Sequence, residues 1–213
     1  MGKEALVVKR DVLFRDGEFQ GFLPLEQRDF ISVIMANHFY HERGDLLENN
    51  RDLQQVIPYI WIVNPEKKQV FLYRRSINQN KENGEFREER YMNKFSGGVG
   101  GHIDRDTEEG QSDPIMGAMM RELKEEVIMQ RYGKPKIFGA INDDCDSIGR
   151  VHFGLLAVLE TNEDVKARFE EGLGEGNFYS IEEAHELLTS GRSEVEGWTK
   201  ISWPVVRDYL QKL

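Results

Sequence analysis

DPIMGAMMRELKEE, residues 113–126, is the segment that decides the fold. Asp113 can accept hydrogen bonds from the first free amides of a helix, and Pro114 suits the first turn, where no amide donor is needed. Gly133 offers a stop for this helix. Apolar side chains recur every three or four residues and form a narrow stripe that can pack on a sheet, at Met116, Met120, Leu123 and Val127. The pattern predicts a helix with one apolar and one polar face.

The polar face of this helix carries three carboxylates. Each helical residue turns about 100°, so Glu122, Glu125 and Glu126 share one side. Like charges three and four residues apart on a helix repel each other, and bound cations or solvent have to reduce this repulsion. Hard oxygen ligands at this density favour Mg²⁺ or Mn²⁺. A solvated acidic face with Lys124 as a counter-charge is the alternative, and the three carboxylates alone would favour it.

The string RELKEE at residues 121–126, together with Asp113 and the upstream glycine turn Gly100-Gly101, resembles the Nudix box. In that family's pattern, a glycine is followed after five residues by glutamate. Seven residues later come Arg-Glu, an apolar residue, any residue, Glu-Glu, any residue, glycine and an apolar residue. The second half of the pattern matches through Glu126.

Three positions depart from the family's pattern. Asp113 stands where the family has glutamate, and this shorter carboxylate can still cap the helix. Gly101 precedes Asp113 by twelve residues instead of six, so residues 104–110 are interpreted as an insertion that a surface loop can absorb. Ile128 stands where a glycine is expected, so we expect the helix to run on past this point.

The resemblance implies an α/β (α+β) sandwich with a mixed β-sheet between helices, and hydrolysis of a phosphate anhydride by attack of water. By the same resemblance, Glu122, Glu125, Glu126 and the backbone carbonyl of Gly100 would bind the metal, and Arg121 would hold the carboxylates in place. The implied activity is that of a pyrophosphohydrolase that uses Mg²⁺ or Mn²⁺. Its implied substrate is a small diphosphate or nucleotide, such as a nucleoside diphosphate joined to another group.

Periodicity and turn residues predict the elements around this helix. Strands are predicted at residues 4–14, 56–63, 69–75, 136–141, 151–159 and 177–179. The second and third are predicted as a hairpin, and the fourth and fifth as a second strand pair. Helices are predicted at residues 25–42, 180–188 and 201–213, with a capping box of Ser180 and Glu183 at the second. Residues 45–53 are predicted as a loop and residues 172–176 as a flexible turn. The order of these elements and the resemblance indicate a hydrolase domain at residues 54–213. We expect the strand and helix extension at residues 1–53 to pack on this domain or to build a dimer interface.

Some side chains outside the helix are candidates for substrate binding or proton transfer. Cations near strand ends could grip substrate phosphates, namely Arg74, Arg75, Lys94 and His102, although exposed cations at strand ends are common. Acidic loop residues could supply the general base if a helix glutamate does not, namely Asp143, Asp144, Asp146, Glu170 and Glu171. Ordinary turn chemistry is the alternative explanation for these acidic residues.

Composition narrows the class of protein and of partner. With 39% hydrophobic and 31% charged residues, the chain can bury a globular core. The net charge of -10 argues against a long nucleic acid as a partner. No apolar run has the length of a signal peptide or a membrane span, and the single cysteine, Cys145, can form no internal disulfide. These features predict a cytoplasmic protein.

Two other functions stay open at the level of sequence. The first is isomerisation of a diphosphate substrate, which needs an additional acid–base pair, and the only thiol, Cys145, lies in a loop outside the matched pattern. The second is a non-catalytic nucleotide-binding sensor or interaction module on the same fold. Altered spacing and Ile128 favour this module, whereas the intact glutamates argue against it.

Overall fold

The computed structural model describes residues 3–75, 93–145, 147–168 and 173–213. Helices in these ranges are α1 (Arg10–Leu13), α2 (Phe30–Asn37), α3 (Asp45–Glu48), α4 (Arg105–Glu108), α5 (Pro114–Glu126), α6 (Ile181–Thr189) and α7 (Gly197–Lys212). Strands are β1 (Glu4–Lys9), β2 (Gly21–Pro24), β3 (Phe39–Glu42), β4 (Leu53–Asn64), β5 (Gln69–Arg75), β6 (Phe95–Ser96), β7 (Gly98–Val99), β8 (Val127–Ile128), β9 (Lys136–Asn142), β10 (His152–Glu160), β11 (Lys166–Ala167) and β12 (Leu173–Ser180). Of the helices in these ranges, none has the length and apolar character needed to cross a membrane.

The strands build a mixed sheet, and the predicted α+β fold class is confirmed. In the described ranges, neighbouring strands follow the order β12-β5-β4-β10-β9-β2, which confirms the predicted pairing of β9 with β10. Further strands extend this path, with β1 and β7 on β4, β6 on β5 and β3 on β1, while β11 and β8 form a separate pair. The chain divides into two compact units, and β4, α5 and β10 each contribute residues to both units.

The first unit comprises Met1–Tyr59, Gly100–Met120 and Lys136–Ala157. Its strand β1 pairs antiparallel with β3 and with the start of β4, and β2 pairs antiparallel with β9. The rings of Phe30 in α2 and Phe153 in β10 are fully buried, with centroids 5.1 Å apart. Aromatic pairs at such distances add to the stabilisation from apolar burial. The N-terminal segment therefore supplies both strand partners and core side chains to this unit.

The second unit comprises Ile60–Val99, Arg121–Pro135 and Val158–Leu213. Strand β12 pairs antiparallel along β5, and β5 pairs with the end of β4 at Val70↔Val63. The predicted hairpin of β4 and β5 is thereby confirmed. The arrangement brings the end of β5, where two candidate cations lie, into the same unit as the glutamates of α5.

Helix α7 packs on β4 through two tryptophans of the second unit. The rings of Trp61 and Trp203 are stacked, with centroids 5.8 Å apart, and the indole N–H of Trp61 donates to the hydroxyl of Ser202 at 2.9 Å. A Cβ atom on Gly97 would lie 2.3 Å from the Trp61 ring, so a side chain there would displace it. The glycine-rich segment is therefore close-packed in this unit, because the ring of Trp61 needs the space.

The structure corrects the prediction for the N-terminal segment. Residues 4–14 are strand only as far as Lys9, and α1 begins at Arg10. The helix predicted at residues 25–42 is limited to α2, whose cap Asp29 accepts the Ser32 amide at 3.0 Å. The rest of that range includes β3, because β1 offers hydrogen-bond partners to its backbone, and α3 occupies part of the predicted loop. Tertiary pairing here overrides local propensity.

A second correction concerns the end of α5. The helix ends at Glu126, although Ile128 was expected to continue it. Ile128 instead lies in β8 and pairs with Lys166, while Val127 pairs with Ala167 of β11. The partner strand satisfies backbone groups that a longer helix would have satisfied internally. A helix end is thus reached here without the glycine of the family's pattern.

The third correction concerns residues 173–176, which were predicted as part of a flexible turn and belong to β12. Gly176 pairs with Tyr73 of β5, and a Cβ atom on it would lie 2.4 Å from the ring of Phe71. The glycine therefore makes room for an aromatic ring instead of marking a turn. Downstream, the capping box of Ser180 and Glu183 is confirmed, and the last helix begins four residues earlier than predicted, at residue 197.

Candidate functional site

Helix α5 follows the sequence prediction at its start, and only in part along its buried face, where Leu123 is buried as predicted. The Oδ1 atom of Asp113 accepts a hydrogen bond from the Met116 amide at 2.9 Å, which confirms the predicted cap. Met116 and Met120, predicted in the apolar stripe, are half-buried. The buried apolar side chains of the helix are Ile115, Ala118, Met119 and Leu123. Helical periodicity from Ile115 through Met119 brings Glu122 onto the same face, where it is 8% exposed.

The guanidinium of Arg121 joins two of the three glutamates. Its Nη1 atom donates to Oε1 of Glu122 at 2.7 Å and to Oε2 of Glu125 at 3.0 Å. The side chains of Arg121 and Glu122 are 17% and 10% exposed, whereas that of Glu125 is 51% exposed. The cation offsets the repulsion between like charges on one helix face. Both carboxylates are therefore oriented by one arginine, with one of them buried and the other open to solvent.

The oxygens of this cluster suit a hard divalent cation. Glu122, Glu125 and Glu126 carry three negative charges, of which Arg121 compensates one. Mg²⁺ and Mn²⁺ prefer carboxylate oxygens over nitrogen and sulfur ligands. The donor set therefore fits the ion that the resemblance implies. The assignment of these residues, and of the carbonyl of Gly100, as metal ligands stays a prediction.

Arg75, a candidate for phosphate binding, forms an ion pair at the end of β5. Its Nε atom donates to the carboxylate of Glu196, which is 5% exposed and is the N-cap residue of α7. Burial alone would lower the pKa of Arg75, but the negative charges of Glu196 and, to a smaller extent, Glu126 raise it well above its ordinary value. Arg75 is therefore a permanent cation within electrostatic reach of Glu126 on the carboxylate helix.

Glu196 is a residue of this neighbourhood that sequence reasoning missed. Its amide donates to the carbonyl of Phe95 at 3.1 Å, while the amide of Phe95 donates to the carbonyl of Glu194 at 2.8 Å. These bonds fix the start of α7 against β6. Acidic residues are favoured at helix starts, which is the one signal that the sequence offered. It gave no indication that the carboxylate would meet an arginine from β5.

The glycine turn lies in the first unit and is shaped by backbone contact. Gly100 has φ 155°, and a Cβ atom on it would lie 1.9 Å from the carbonyl oxygen of Pro58. Only glycine allows this approach. His102, proposed to bind substrate, contacts Gln55 through its Nε2 atom, which lies 2.8 Å from the Gln55 Oε1 atom. Its role in substrate binding stays a prediction.

The other candidates for phosphate binding stay predictions as well. Arg74 is exposed, and its guanidinium lies over the ring of Phe95 at 4.6 Å from the centroid. A guanidinium over an aromatic ring can keep the N–H donors at its own edge available for an anion. The carbonyl of Lys94 accepts the amide of Arg75 at 3.0 Å, so Lys94 and Arg75 lie on paired segments.

Two of the acidic loop candidates for the general base lie in the described residues and make contacts within the first unit. Asp144 accepts two hydrogen bonds from Arg10, at 2.7 and 3.2 Å, and Asp143 accepts one from Gln20 at 2.7 Å. These hydrogen bonds give Asp143 and Asp144 a structural role in holding the loop. Asp146, Glu170 and Glu171 lie outside the described residues. A catalytic role for any of the five stays a prediction.

Comparison with known proteins gives relatives of nearly the same length. Protein YmaB of Bacillus subtilis (strain 168) is 32% identical in an alignment of 178 residues, with 80% of this chain and 82% of YmaB covered. The crystal structure of Tm1382, described as a candidate Nudix hydrolase, is 26% identical and has a TM-score of 0.76. It covers 97% of this chain and 99% of its own. No protein-family model matches the chain.

The likeness to Tm1382 bears on more than the helix motif. A match over 97% of the chain extends well beyond the string RELKEE and takes in most of the N-terminal segment and of the last helix. The string RELKEE and the capping Asp113, which carry the resemblance to the Nudix box, lie together on α5. The two structures agree over nearly the whole of both chains, and the helix motif of this chain resembles the Nudix box. The chain therefore belongs to the Nudix hydrolase superfamily.

Proposed function

We propose that this protein hydrolyses the phosphate anhydride of a nucleoside diphosphate joined to another group, with Mg²⁺ or Mn²⁺ held by the glutamates of α5. The observation that carries the proposal is the pairing of Arg121 with Glu122 and Glu125, which presents one buried and one open carboxylate on the same helix. A solvated acidic face would not need a half-buried arginine to organise it. The alternative of an ordinary surface helix is therefore disfavoured.

The chemistry requires positioning more than covalent catalysis. A divalent cation, when bound, would neutralise charge on the diphosphate and favour deprotonation of the attacking water. The water oxygen forms a bond to one phosphorus, the bond from that phosphorus to the bridging oxygen breaks, and a carboxylate accepts the proton of the water. Arg121 keeps Glu122 and Glu125 in a fixed orientation throughout. Arg75 supplies a permanent positive charge near Glu126.

A product-resolved screen tests this function. The wild-type chain is incubated with nucleotide sugars, dinucleoside polyphosphates, nucleoside triphosphates and coenzymes, with Mg²⁺, with Mn²⁺ or with a chelator. In ¹⁸O-labelled water, hydrolysis places one labelled oxygen on a product phosphate. We expect metal-dependent cleavage of at least one diphosphate, and a loss of about 100-fold or more in Glu125→Gln. The matched control is Glu182→Gln, which alters an exposed glutamate in the first turn of α6.

The same screen separates the alternatives by their products. An altered substrate that keeps its diphosphate would indicate isomerisation. Tight nucleotide binding with no product under either metal would indicate a sensor or interaction module. Cleavage that survives unchanged in Glu125→Gln would contradict the assignment of the carboxylate helix as the site. The homodimer predicted from the extension at residues 1–53 stays a prediction, and the molar mass in solution tests it.

A further inference from the structure

A second group of side chains with metal-ligand chemistry lies in the first unit. Glu48 is the last residue of α3, His102 follows the glycine turn, and His152 is the first residue of β10. One ligand atom of each lies within 4.8 Å of a ligand atom of each of the others. Three segments that are distant in sequence thus converge on one point with two imidazoles and one carboxylate.

The buried amide of Gln55 orients two members of this group. Its Nε2 atom lies 3.2 Å from Oε1 of Glu48, and its Oε1 atom lies 2.8 Å from Nε2 of His102. A carboxylate can only accept, so the amide nitrogen faces Glu48 and the amide oxygen faces His102. The Nε2 atom of His102 must then donate. A neutral His102 ring consequently carries its lone pair on Nδ1, so Nδ1 is the nitrogen that could bind a metal.

A backbone carbonyl orients the third member. The Nδ1 atom of His152 lies 2.8 Å from the carbonyl oxygen of Ile148, so Nδ1 donates and the lone pair of the neutral ring is on Nε2. His152 is 8% exposed, and its ring centroid lies 5.6 Å from that of His102 in an edge-to-face arrangement. Hydrogen bonds from the far ring nitrogen to a carbonyl or an amide are typical of histidines that bind metals.

We propose that Glu48, His102 and His152 bind one Zn²⁺ ion, with the fourth position open to water or to an anion. Two nitrogens and one carboxylate oxygen form a common set for zinc with an open position. Ligand atoms around tetrahedral Zn²⁺ are about 3.4 Å apart, given bonds of about 2.0–2.1 Å. The three ligand atoms lie within 4.8 Å of one another, so closing them onto an ion shortens any one separation by at most about 1.4 Å. Rotation of the Glu48 side chain, which is half-buried at the end of α3, can supply part of this movement.

The ligand types separate this site from the glutamates of α5. Imidazole nitrogens favour Zn²⁺ over Mg²⁺, whereas a cluster of carboxylates favours Mg²⁺. The inference therefore does not depend on the proposed hydrolysis. A bound ion would tie α3 and the glycine turn to the start of β10, all in the first unit. Because the unfolded chain does not hold these three residues together, binding would stabilise the folded chain.

Zinc binding by the full chain, prepared without a histidine tag, tests the proposal. The chain is dialysed against Zn²⁺ in excess Mg²⁺ and its metal content is measured, and Co²⁺ is titrated with visible absorption as a report on nitrogen and oxygen ligands. The variants are His102→Asn, His152→Asn and the conservative Glu48→Gln. The matched control is His41→Asn, on strand β3, whose ring contacts the carbonyl of Glu42. A variant with Glu122, Glu125 and Glu126 all changed to glutamine reports on the other site.

We expect one Zn²⁺ per chain in the wild type, in His41→Asn and in the triple glutamine variant. His102→Asn and His152→Asn should bind about 100-fold more weakly or worse, and Glu48→Gln should lose at least about 10-fold. At a free Zn²⁺ concentration 100 times the dissociation constant, the wild-type melting temperature should rise by about 5–10 °C, with no such rise in His102→Asn. This thermal measurement also shows that each variant is folded. Absence of stoichiometric zinc in the wild type, or undiminished affinity in both histidine variants, would overturn the proposal.

Discussion

Arg121→Met removes the cation that joins two glutamates of α5 while retaining an unbranched side chain. Removing one partner of a buried ion pair costs about 3–5 kcal/mol, whereas exposed pairs contribute about 0.2–1 kcal/mol. The side chains of Arg121 and Glu122 are 17% and 10% exposed, so this pair lies nearer the buried limit. Glu125 is 51% exposed, so its pair with Arg121 adds little. Together these contacts predict a loss of about 2–3 kcal/mol in the free energy of unfolding.

Chemical and thermal unfolding in the presence of a chelator measure this loss without a contribution from bound metal. The melting temperature should fall by about 5–10 °C. Arg192→Met is the matched control, because the side chains of Arg192 and its partner Glu186 are 81% and 67% exposed. Their ion pair should contribute less than about 0.5 kcal/mol to the free energy of unfolding. A double-mutant cycle with Glu122→Gln isolates the pair. Its coupling energy should be about 1.5 kcal/mol or more.

Two results would refute this reasoning. A coupling energy close to zero would mean that the Arg121–Glu122 contact does not contribute to folding. An equal loss in Arg121→Met and Arg192→Met would mean that the burial of the pair on α5 has no energetic consequence. In either case, the organised arrangement of carboxylates would have to be attributed to another interaction.

The remaining stability predictions concern the glycine turn and a helix cap. Gly100→Ala should lower the free energy of unfolding by about 2–4 kcal/mol, since the new Cβ would lie 1.9 Å from the carbonyl of Pro58; wild-type stability in urea denaturation would contradict this. Hydrogen bonds from the amide and hydroxyl of Ser180 lower the pKa of Glu183 below 4.5. A lowered pKa gives stability that is fully present above the unfolded-state value and is lost as pH falls through the folded-state value. Glu183→Gln should therefore melt below the wild type at pH 7, by a difference that shrinks below about pH 4.5; a difference independent of pH would be inconsistent with this.

The parts of the fold and site that the sequence predicts correctly depend on local chemistry. Asp113 caps α5 because its carboxylate reaches an amide three residues on, which spacing alone specifies. The hairpin of β4 and β5 follows from two apolar runs and a polar turn. The pairing of Arg121 with Glu122 and Glu125 follows from neighbouring positions on one helix. None of these features needs information from distant parts of the chain.

The parts that the sequence does not predict depend on distant partners. Phe39–Glu42 is a strand because β1 lies beside it, and Ile128 leaves the helix because β11 pairs with it. Glu196 joins the neighbourhood of the glutamates through Arg75, which is 121 residues away along the chain. Gln55 and the group that it orients likewise assemble from separate segments. Single-sequence periodicity carries no information on such pairings.

Turnover of the glutamate variants tests the central claim most directly. On the diphosphate that the wild type cleaves with Mg²⁺, kcat/KM is measured for Glu122→Gln, Glu125→Gln and Glu126→Gln, with Glu182→Gln as the exposed control. If α5 is the hydrolytic site, each of the three loses about 100-fold or more while the control keeps wild-type activity and all four remain folded. Wild-type kcat/KM in Glu125→Gln and Glu126→Gln would contradict the assignment of the carboxylate helix as the site of hydrolysis.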